Sequence, residues 1–562
     1  MTRTAARILV DQLLIQGVNH AFCVPGESYL PVLDALADAP SIKLIVNRHE
    51  SGSTFMAEAY AKLTGQPGVA FVTRGPGATN ASIGIHTAFQ DSTPMVVFVG
   101  QVGNEFAERE AFQEIDYRRM FGPITKWVAQ IDRADRIPEF VARAFQTATS
   151  GRCGPVVLAL PEDMLSQSAD VPDAACHAPV QAAPSDTQLA TLRRLLGAAQ
   201  RPLVLLGGFG WTPAACDNIR RWVEANHLPV ACAFRFQDLF DNRHPNYVGD
   251  VGIGINPKLA QRVRDADLLI AIGPRLGEMT TGGYTLLEAP RPRQSLVHVH
   301  QGIEELGRVY QPTLAIAAGM PQFAARLAMA LPIESPPWRE ATAQARADYE
   351  AWQQRPPVYA DAEPALDLWQ VMQTIRSELP ADTILTNGAG NFATWAHRFH
   401  RYTGLRTQLA PTAGSMGYGL PAGVAAKIAA PERTVVTLAG DGELMMTVQE
   451  LATAVQYRAG VIVIVFNNGM YGTIRMHQER EFPGRVFGTE LVNPRFDALA
   501  QAFGGFGTRV ERTEEFPPAL AQAAAHVREK RLPALIELRC DPDVITPNAT
   551  LAAIRAGAQR RG

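Results

Sequence analysis

The chain is poor in the features of a secreted, membrane or nucleic-acid-binding protein. It has six cysteines in 562 residues (Cys23, Cys153, Cys176, Cys216, Cys232, Cys540), and none forms a CxxC or CxxxC pair. That spacing supports neither a zinc site nor a disulfide framework, so they are expected as core thiols in a reducing compartment. No window holds the roughly 18 or more uninterrupted apolar residues of a membrane span. An excess of one charge is lacking too: 52 Lys and Arg face 55 Asp and Glu, a net charge of −3, which leaves no basic face for nucleic acid. The start, MTRTAARILVDQLLIQGVNH, carries Asp11 and Gln12 inside its apolar stretch, while Ala5, Leu9 and Leu13 recur at helical spacing up to Gly17. This reads as an amphipathic helix and not a signal peptide. The expectation is a soluble cytoplasmic protein with no membrane and no nucleic-acid partner.

What is present is alternation. Short apolar runs (HAFCV, IKLIV, GVAFV, PMVVFVG, GPVVLAL) are followed by Gly, Pro or polar residues and then by helical patterns, and the middle of the chain repeats this with RPLVLLGG, LPVACAF, ADLLIAIG and QSLVHVH. Such a series predicts an α/β chain of doubly wound parallel sheets covered by helices. Residues 165–187 and 332–364 are weakly patterned, rich in Ala and Pro or in Pro and charge, and read as linkers. They divide the chain into units at 1–165, 186–331 and 365–545, with a tail at 546–562 expected to be exposed and frayed. The first and third units share a cadence, GVAFVTRGPGATNASIG against TVVTLAGDGELMMTVQE.

The third unit holds the sharpest signal, LAGDGELMMTVQELATAVQYRAGVIVIVFNNGMYG, residues 438–472. RTVVTLA and GVIVIVF have strand length and β-branched composition, and LMMTVQELATAVQYRA has helical spacing, so the stretch is a βαβ unit with a right-handed crossover. Asp441 and Asn468 then fall at the carboxyl ends of two strands of one sheet, where open α/β sheets bind ligands. A carboxylate, an amide oxygen and a backbone carbonyl are hard donors suited to Mg²⁺, with phosphates completing the shell. Gly440 and Gly442 would let backbone amides approach those phosphates.

GDG followed after about 25 residues by NN resembles the signature of thiamine diphosphate (ThDP) enzymes, and the resemblance runs over nearly the whole chain toward acetolactate synthase large subunits and pyruvate oxidases. It implies pyrimidine-binding, central Rossmann-like and diphosphate-binding domains in that order. It implies Mg²⁺ on Asp441, the Asn468 side chain and the Met470 carbonyl, with Tyr471, Asn391, Pro25 and Gly26 as further cofactor contacts. In VNRHESGSTFMAEAYAKLTG, Glu50 matches the family's glutamate at the end of an early strand, which bonds the aminopyrimidine and favours the tautomer that places a base beside the reactive carbon. Met416, in PTAGSMGYG, matches the apolar residue that bends the cofactor, and the Gly414 carbonyl would accept from its amino group. In the family the glutamate and the metal come from different subunits, which implies a homodimer or a dimer of dimers.

The implied reaction is decarboxylation of a 2-oxo acid such as pyruvate and passage of the acyl carbanion to a carbonyl acceptor. Phe112 and Gln113 match residues on the cofactor and acceptor side. Ser28, His86, Arg475 and His477 are candidate substrate residues; His86 is expected as a buried, hydrogen-bonded histidine, with substrate contact as the alternative. Three positions depart from the synthases: Glu162 replaces a lysine, Met279 an acceptor-binding arginine and His477 a tryptophan. Losing a guanidinium that clamps a carboxylate disfavours a second 2-oxo acid unless Arg475 or His477 serves. A 2-oxo acid decarboxylase, or an acyloin carboligase using an aldehyde or diketone, therefore stays open, as does a non-catalytic ThDP-binding paralogue. FAD is also left open: Arg152 and Arg275 match flavin contacts and the turn at Gly207 and Gly208 could admit a dinucleotide, whereas the family's His-Gly contact is not seen in VGDVGIGIN and its acidic pair reads HVHQG. At the ThDP diphosphate, Asn391 and Phe392 stand in place of the family's glutamine and histidine.

Overall fold

The computed structural model describes residues 2–359 and 364–560. The end of the expected 332–364 linker and the last two residues of the tail lie outside them. By internal packing the chain divides into two compact units, Met1–Gln181 with Val424–Ala429, and Ala182–Gly423 with Ala430–Gly562.

The first unit carries a six-stranded parallel sheet ordered Lys43–Val46, His20–Cys23, Gly68–Val72, Met95–Gln101, Pro155–Pro161, Trp127–Gln130. Its central strands are wholly buried, as parallel strands covered on both faces must be. The first helix, Ala5–Ile15, forms as expected, and the Thr4 side chain caps it by accepting from Arg7 N.

The second unit carries two more six-stranded parallel sheets. One runs Tyr247–Asp250, Val230–Cys232, Pro202–Leu206, Leu268–Ile272, Ser295–His300, Leu314–Ala317, which in chain order is 3-2-1-4-5-6. The other runs Gln408–Leu409, Ile384–Asn387, Val435–Gly440, Ile462–Asn467, Ala534–Arg539, Phe506–Val510. In chain order this sheet and that of the first unit are both 2-1-3-4-6-5, so the cadence shared by the two sequences reflects a repeated topology. The three sheets bear out the α/β doubly wound expectation.

Four local expectations are corrected. The 332–364 stretch builds the helix Arg339–Trp352, which buries Thr342, Ala345, Asp348 and Tyr349. The crossover after Gly440 is not one helix but two short ones, Asp441–Leu444 and Glu450–Gln456, separated by a turn. Cys23, Cys153 and Cys232 are buried, but Cys216 and Cys540 are half-buried and Cys176 is exposed; all six are free thiols. The tail is not frayed either: Leu551–Gln559 is a helix that packs on Gly472–Glu481. No helix among the described residues is long and apolar enough to cross a membrane.

The tail is tied by Arg398 Nη1 donating to Asn548 Oδ1 at 2.7 Å, by Ala552 N donating to Asp543 Oδ1 at 2.9 Å and, from its helix to Gly472–Glu481, by the Glu479 carboxylate. Glu479 receives Arg555 Nε at 2.7 Å and Nη2 at 2.6 Å, Arg475 Nε at 3.1 Å and Gly484 N at 2.9 Å. The Arg555 guanidinium first, and then the Gly484 amide and Arg475, pull its pKa from 4.5 down to about 2. A depressed carboxylate pKa stabilises the docked state fully above the ordinary value and loses that stabilisation as pH falls toward the depressed one. Tail docking should therefore be intact at neutral pH and weaken between 4.5 and about 2. Limited proteolysis checks this: Arg555→Ala should make the tail cleavable at pH 7, and wild type should become cleavable only in acid. Equal resistance of both at pH 7 would contradict it.

Candidate active site

In the third sheet, strands Val435–Gly440 and Ile462–Asn467 pair in parallel with Gly440 opposite Phe466, so Asp441 and Asn468 emerge side by side at the strand ends. They line one pocket with Asn391, Gly414, Met416, Gly440, Gly442, Met470 and Tyr471, which brings together all nine third-unit residues expected around the cofactor, and Phe392 lines it too. Asp441 is buried, and burial raises its pKa against the pull of the bonds it accepts. Its Oδ1 accepts from Gly442 N at 2.9 Å, and its Oδ2 from Gly469 N and Asn493 Nδ2, both at 2.8 Å.

The two adjacent asparagines divide the work. Asn467 points inward: Nδ2 donates to Glu537 Oε1 at 2.7 Å, and Oδ1 accepts from Gly469 N at 3.2 Å and Asn493 Nδ2 at 3.0 Å. Asn468 lines the pocket, its Oδ1 accepting only a longer bond from Met470 N at 3.3 Å. The glycines admit rings of this chain: a Cβ on Gly442 would lie 2.6 Å from Tyr471 Cε1, and one on Gly440 3.0 Å from Phe392 Cδ1. Asn391 bonds within its own wall, accepting from Thr473 Oγ1 at 3.0 Å and donating to Met476 Sδ at 3.6 Å.

None of the residues lining this pocket is Lys, Arg or His. No side chain lining the pocket supplies a positive charge to a diphosphate, whereas Asp441 supplies a carboxylate to a cation. Asp441, the Asn468 amide oxygen and the Met470 carbonyl are donors of the hard class Mg²⁺ prefers, and three is the number that leaves room for phosphate oxygens. The residues thus fit both groups. Two site residues had escaped the sequence. Asn493 lies in a loop with no motif around it, and Glu443, fourth in the GDGE run, is a pocket-lining carboxyl whose pKa burial pushes up to about 7.

In the first unit, Glu50 does not end a strand. Its strand stops at Val46, and Glu50 opens the helix Glu50–Thr64, capped by His49. It is 8% exposed, and its Oε2 accepts from Asn80 Nδ2 at 2.9 Å, a partner near the start of the helix Pro76–Asp91. Gly77 in the same helix approaches closely; a Cβ there would lie 3.2 Å from Glu50 Oε1. Pro25 and Gly26 follow the strand His20–Cys23, and the bare α-carbon of Gly26 leaves room for Thr73.

The substrate and flavin candidates fare unevenly. Ser28 is fully buried and bonded to Thr73 Oγ1 at 2.8 Å, so it is spent inside the core. His86 is exposed on the helix Pro76–Asp91, against the expectation of a buried histidine. Arg475 is tied to Glu479 and His477 is exposed; neither lines the pocket. Phe112 is 71% exposed, and Gln113 takes a left-handed φ of 65° against Gly75. Glu162 pairs with the buried Arg74, which also bonds Glu27 Oε1 at 3.0 Å and the Phe112 carbonyl at 3.1 Å. Arg152 is buried, donating to Ser92 Oγ at 2.9 Å and the Phe89 carbonyl at 2.6 Å, while Arg275 pairs with Glu305 at 3.3 Å. A Cβ on Gly208 would lie 2.0 Å from the Gly273 carbonyl oxygen, so the glycine turn is already filled by a neighbouring strand end.

Asn493 bridges Asp441 and Asn467, and its loss removes one donor from each while Gly469 N still serves both. Asn493→Ala should destabilise the fold by about 0.5–1.5 kcal/mol, the net worth of a lost hydrogen bond. Urea unfolding measures it, and a change within error of zero would contradict the bridge.

Residues 3–120 match the family model "Thiamine pyrophosphate enzyme, N-terminal TPP binding domain", 189–327 the central domain and 388–538 the C-terminal TPP binding domain. The chain is 32% identical over 517 residues to the acetolactate synthase isozyme 2 large subunit of Escherichia coli (strain K12), covering 92% of each. It is 35% identical over 542 residues to the acetolactate synthase large subunit of Parasynechococcus marenigrum, covering 93% of this chain and 86% of the relative. It is 31% identical over 541 residues to that of Corynebacterium glutamicum, covering 92% and 84%. With the strand-end pocket in the third sheet and these full-length matches together, the chain belongs to the thiamine pyrophosphate enzymes and is an acetolactate synthase-like member of that family.

Proposed function

We propose that the protein decarboxylates a pyruvate-like 2-oxo acid with ThDP and Mg²⁺ and transfers the acyl carbanion to a carbonyl acceptor. The observation that carries this reading is the convergence of Asp441, Asn468, Met470, Gly414 and Met416 on one pocket that has no cation of its own. In this reading residues 1–165, 186–331 and 365–545 are the pyrimidine, central and diphosphate domains, and a homodimer or dimer of dimers completes each site.

When bound, ThDP supplies a carbon nucleophile that adds to the keto carbon and holds the electron pair left when carbon dioxide departs. The chain's residues do the rest. Asp441, Asn468 and the Met470 carbonyl would hold Mg²⁺, which would carry the diphosphate, and Gly440, Gly442, Asn391 and Tyr471 shape the wall there. Met416 would support the cofactor, and the Gly414 carbonyl would accept from its amino group. Glu50, oriented by Asn80, holds a proton at the far ring nitrogen, with Pro25 and Gly26 on the same side. Phe112 and Gln113 face the acceptor.

A second reading concerns the acceptor. Arg475 shares Glu479 with Arg555, Glu162 is paired with Arg74, Met279 is apolar and neither Arg475 nor His477 lines the pocket, so no residue lining it offers a cation to clamp an acceptor carboxylate. This favours a neutral aldehyde or diketone over a second 2-oxo acid. The flavin contacts at Arg152, Arg275, Gly207 and Gly208 are satisfied within the chain, and FAD is not part of the proposal.

The test offers purified protein ThDP, Mg²⁺ and pyruvate, with and without an aldehyde or diketone, and follows carbon dioxide and all products. The expected result is a new carbon–carbon bond; acetaldehyde as sole product would contradict transfer. Glu50→Gln should lower kcat about 10²- to 10⁴-fold, the range for losing a general acid or base. EDTA should abolish turnover and Mg²⁺ restore it, and turnover indifferent to chelation would refute the proposed metal.

A further inference from the structure

Residues 410–418, which carry Gly414 and Met416, form no helix or strand, so no ladder fixes their backbone. Gly417 takes a φ of 82°, a conformation that L side chains rarely adopt. The loop is held instead by side chains from the Asp441 turn. Glu443, 2% exposed, accepts through Oε1 from Gly417 N at 3.1 Å and Gly419 N at 3.2 Å. Thr447 Oγ1 donates to the Gly417 carbonyl at 2.7 Å. The same Glu443 oxygen presses on the bare α-carbon of Gly388, where a Cβ would lie 2.0 Å away. From the other side, Arg235 donates to the Gly388 carbonyl at 2.8 Å and to the Pro411 carbonyl.

We propose that Glu443 is a positioning residue for Met416: by gripping the amides of Gly417 and Gly419 it sets where the Met416 side chain stands in the pocket. The proposal rests on the reading of Met416 as the support beneath the cofactor. What matters is the reach of the Glu443 oxygen. The spacing explains why a side chain as long as glutamate stands there: the turn that places Asp441 at the strand end also sends Glu443 under the loop that supports the cofactor. One short segment thereby fixes both ends of the pocket relative to each other.

Reach and charge separate in two variants of the full-length protein. Glu443→Gln keeps an acceptor oxygen at the same distance without the charge; Glu443→Asp keeps the charge but is one methylene short. Turnover with pyruvate, ThDP and Mg²⁺ should stay within about threefold of wild type in E443Q and fall roughly 10- to 100-fold in E443D, the effect of misplacing a supporting group by about 1 Å. The ThDP concentration for half-saturation should change less than about threefold in both, since this is an effect on kcat. A residue that acts through Met416 adds nothing once Met416 is gone, so M416A/E443D should match M416A within about threefold. Thr447→Val removes the other tether without touching a charge and should lower kcat in the same direction, which keeps the test open if E443D fails to fold. E443Q as poor as E443D would assign the role to charge and overturn the proposal, as would additive losses in E443D and M416A, or unchanged kcat in both E443D and T447V. If M416A alone left kcat unchanged, the reading of Met416 itself would fall.

Discussion

The parallel pairing of Val435–Gly440 with Ile462–Asn467 is the constraint on which the site depends. A right-handed crossover brings two strand ends to the same edge of the sheet, and the register decides which residues meet there. With Gly440 opposite Phe466, a carboxylate and an amide leave their strands next to each other. Everything else in the pocket is built on that pair: Asn467 and Asn493 lock the Asp441 carboxylate, Glu443 holds the Met416 loop, and the rings of Phe392 and Tyr471 close over Gly440 and Gly442.

Much of this was legible in the sequence because it depends on periodicity and spacing. The Asp441 to Asn468 interval spans one βαβ unit, so strand period and helix length together fix where both residues fall. Ile384–Asn387 and Ala534–Arg539 of the third sheet were not read, whereas the buried central strands of the first two sheets were equally plain. Their edge partners were missed: Trp127–Gln130 and Leu314–Ala317 are only partly buried, and their short runs carry a weaker apolar signal. The helix Arg339–Trp352 was hidden because its buried face uses small and polar residues, Thr342, Ala345 and Asp348, within a stretch rich in proline and charge.

Residues that act through tertiary contact left no such signal. Asn493 reaches Asp441 from a loop 52 positions away, and Asn80 reaches Glu50 from 30 positions away, near the start of the helix Pro76–Asp91; in neither case does sequence spacing reveal the contact. Ser28, Arg152 and Arg475 show the converse. Their matching positions suggested ligands, but each is consumed by neighbours, Thr73, Ser92 and Glu479, that sequence spacing could not reveal. The departures resolve locally: Glu162 pairs with Arg74 inside the first unit, and neither Met279 nor His477 is among the residues lining the third-sheet pocket.

The central claim is that this strand-end pocket is the diphosphate and metal site, and a crystal structure of the protein grown with ThDP and Mg²⁺ tests it most directly. The account predicts the diphosphate against Gly440–Gly442, with one metal ion bound by Asp441, the Asn468 side-chain oxygen and the Met470 carbonyl, and Met416 beneath the cofactor. A diphosphate seated elsewhere, or a metal that does not touch Asp441, would contradict it.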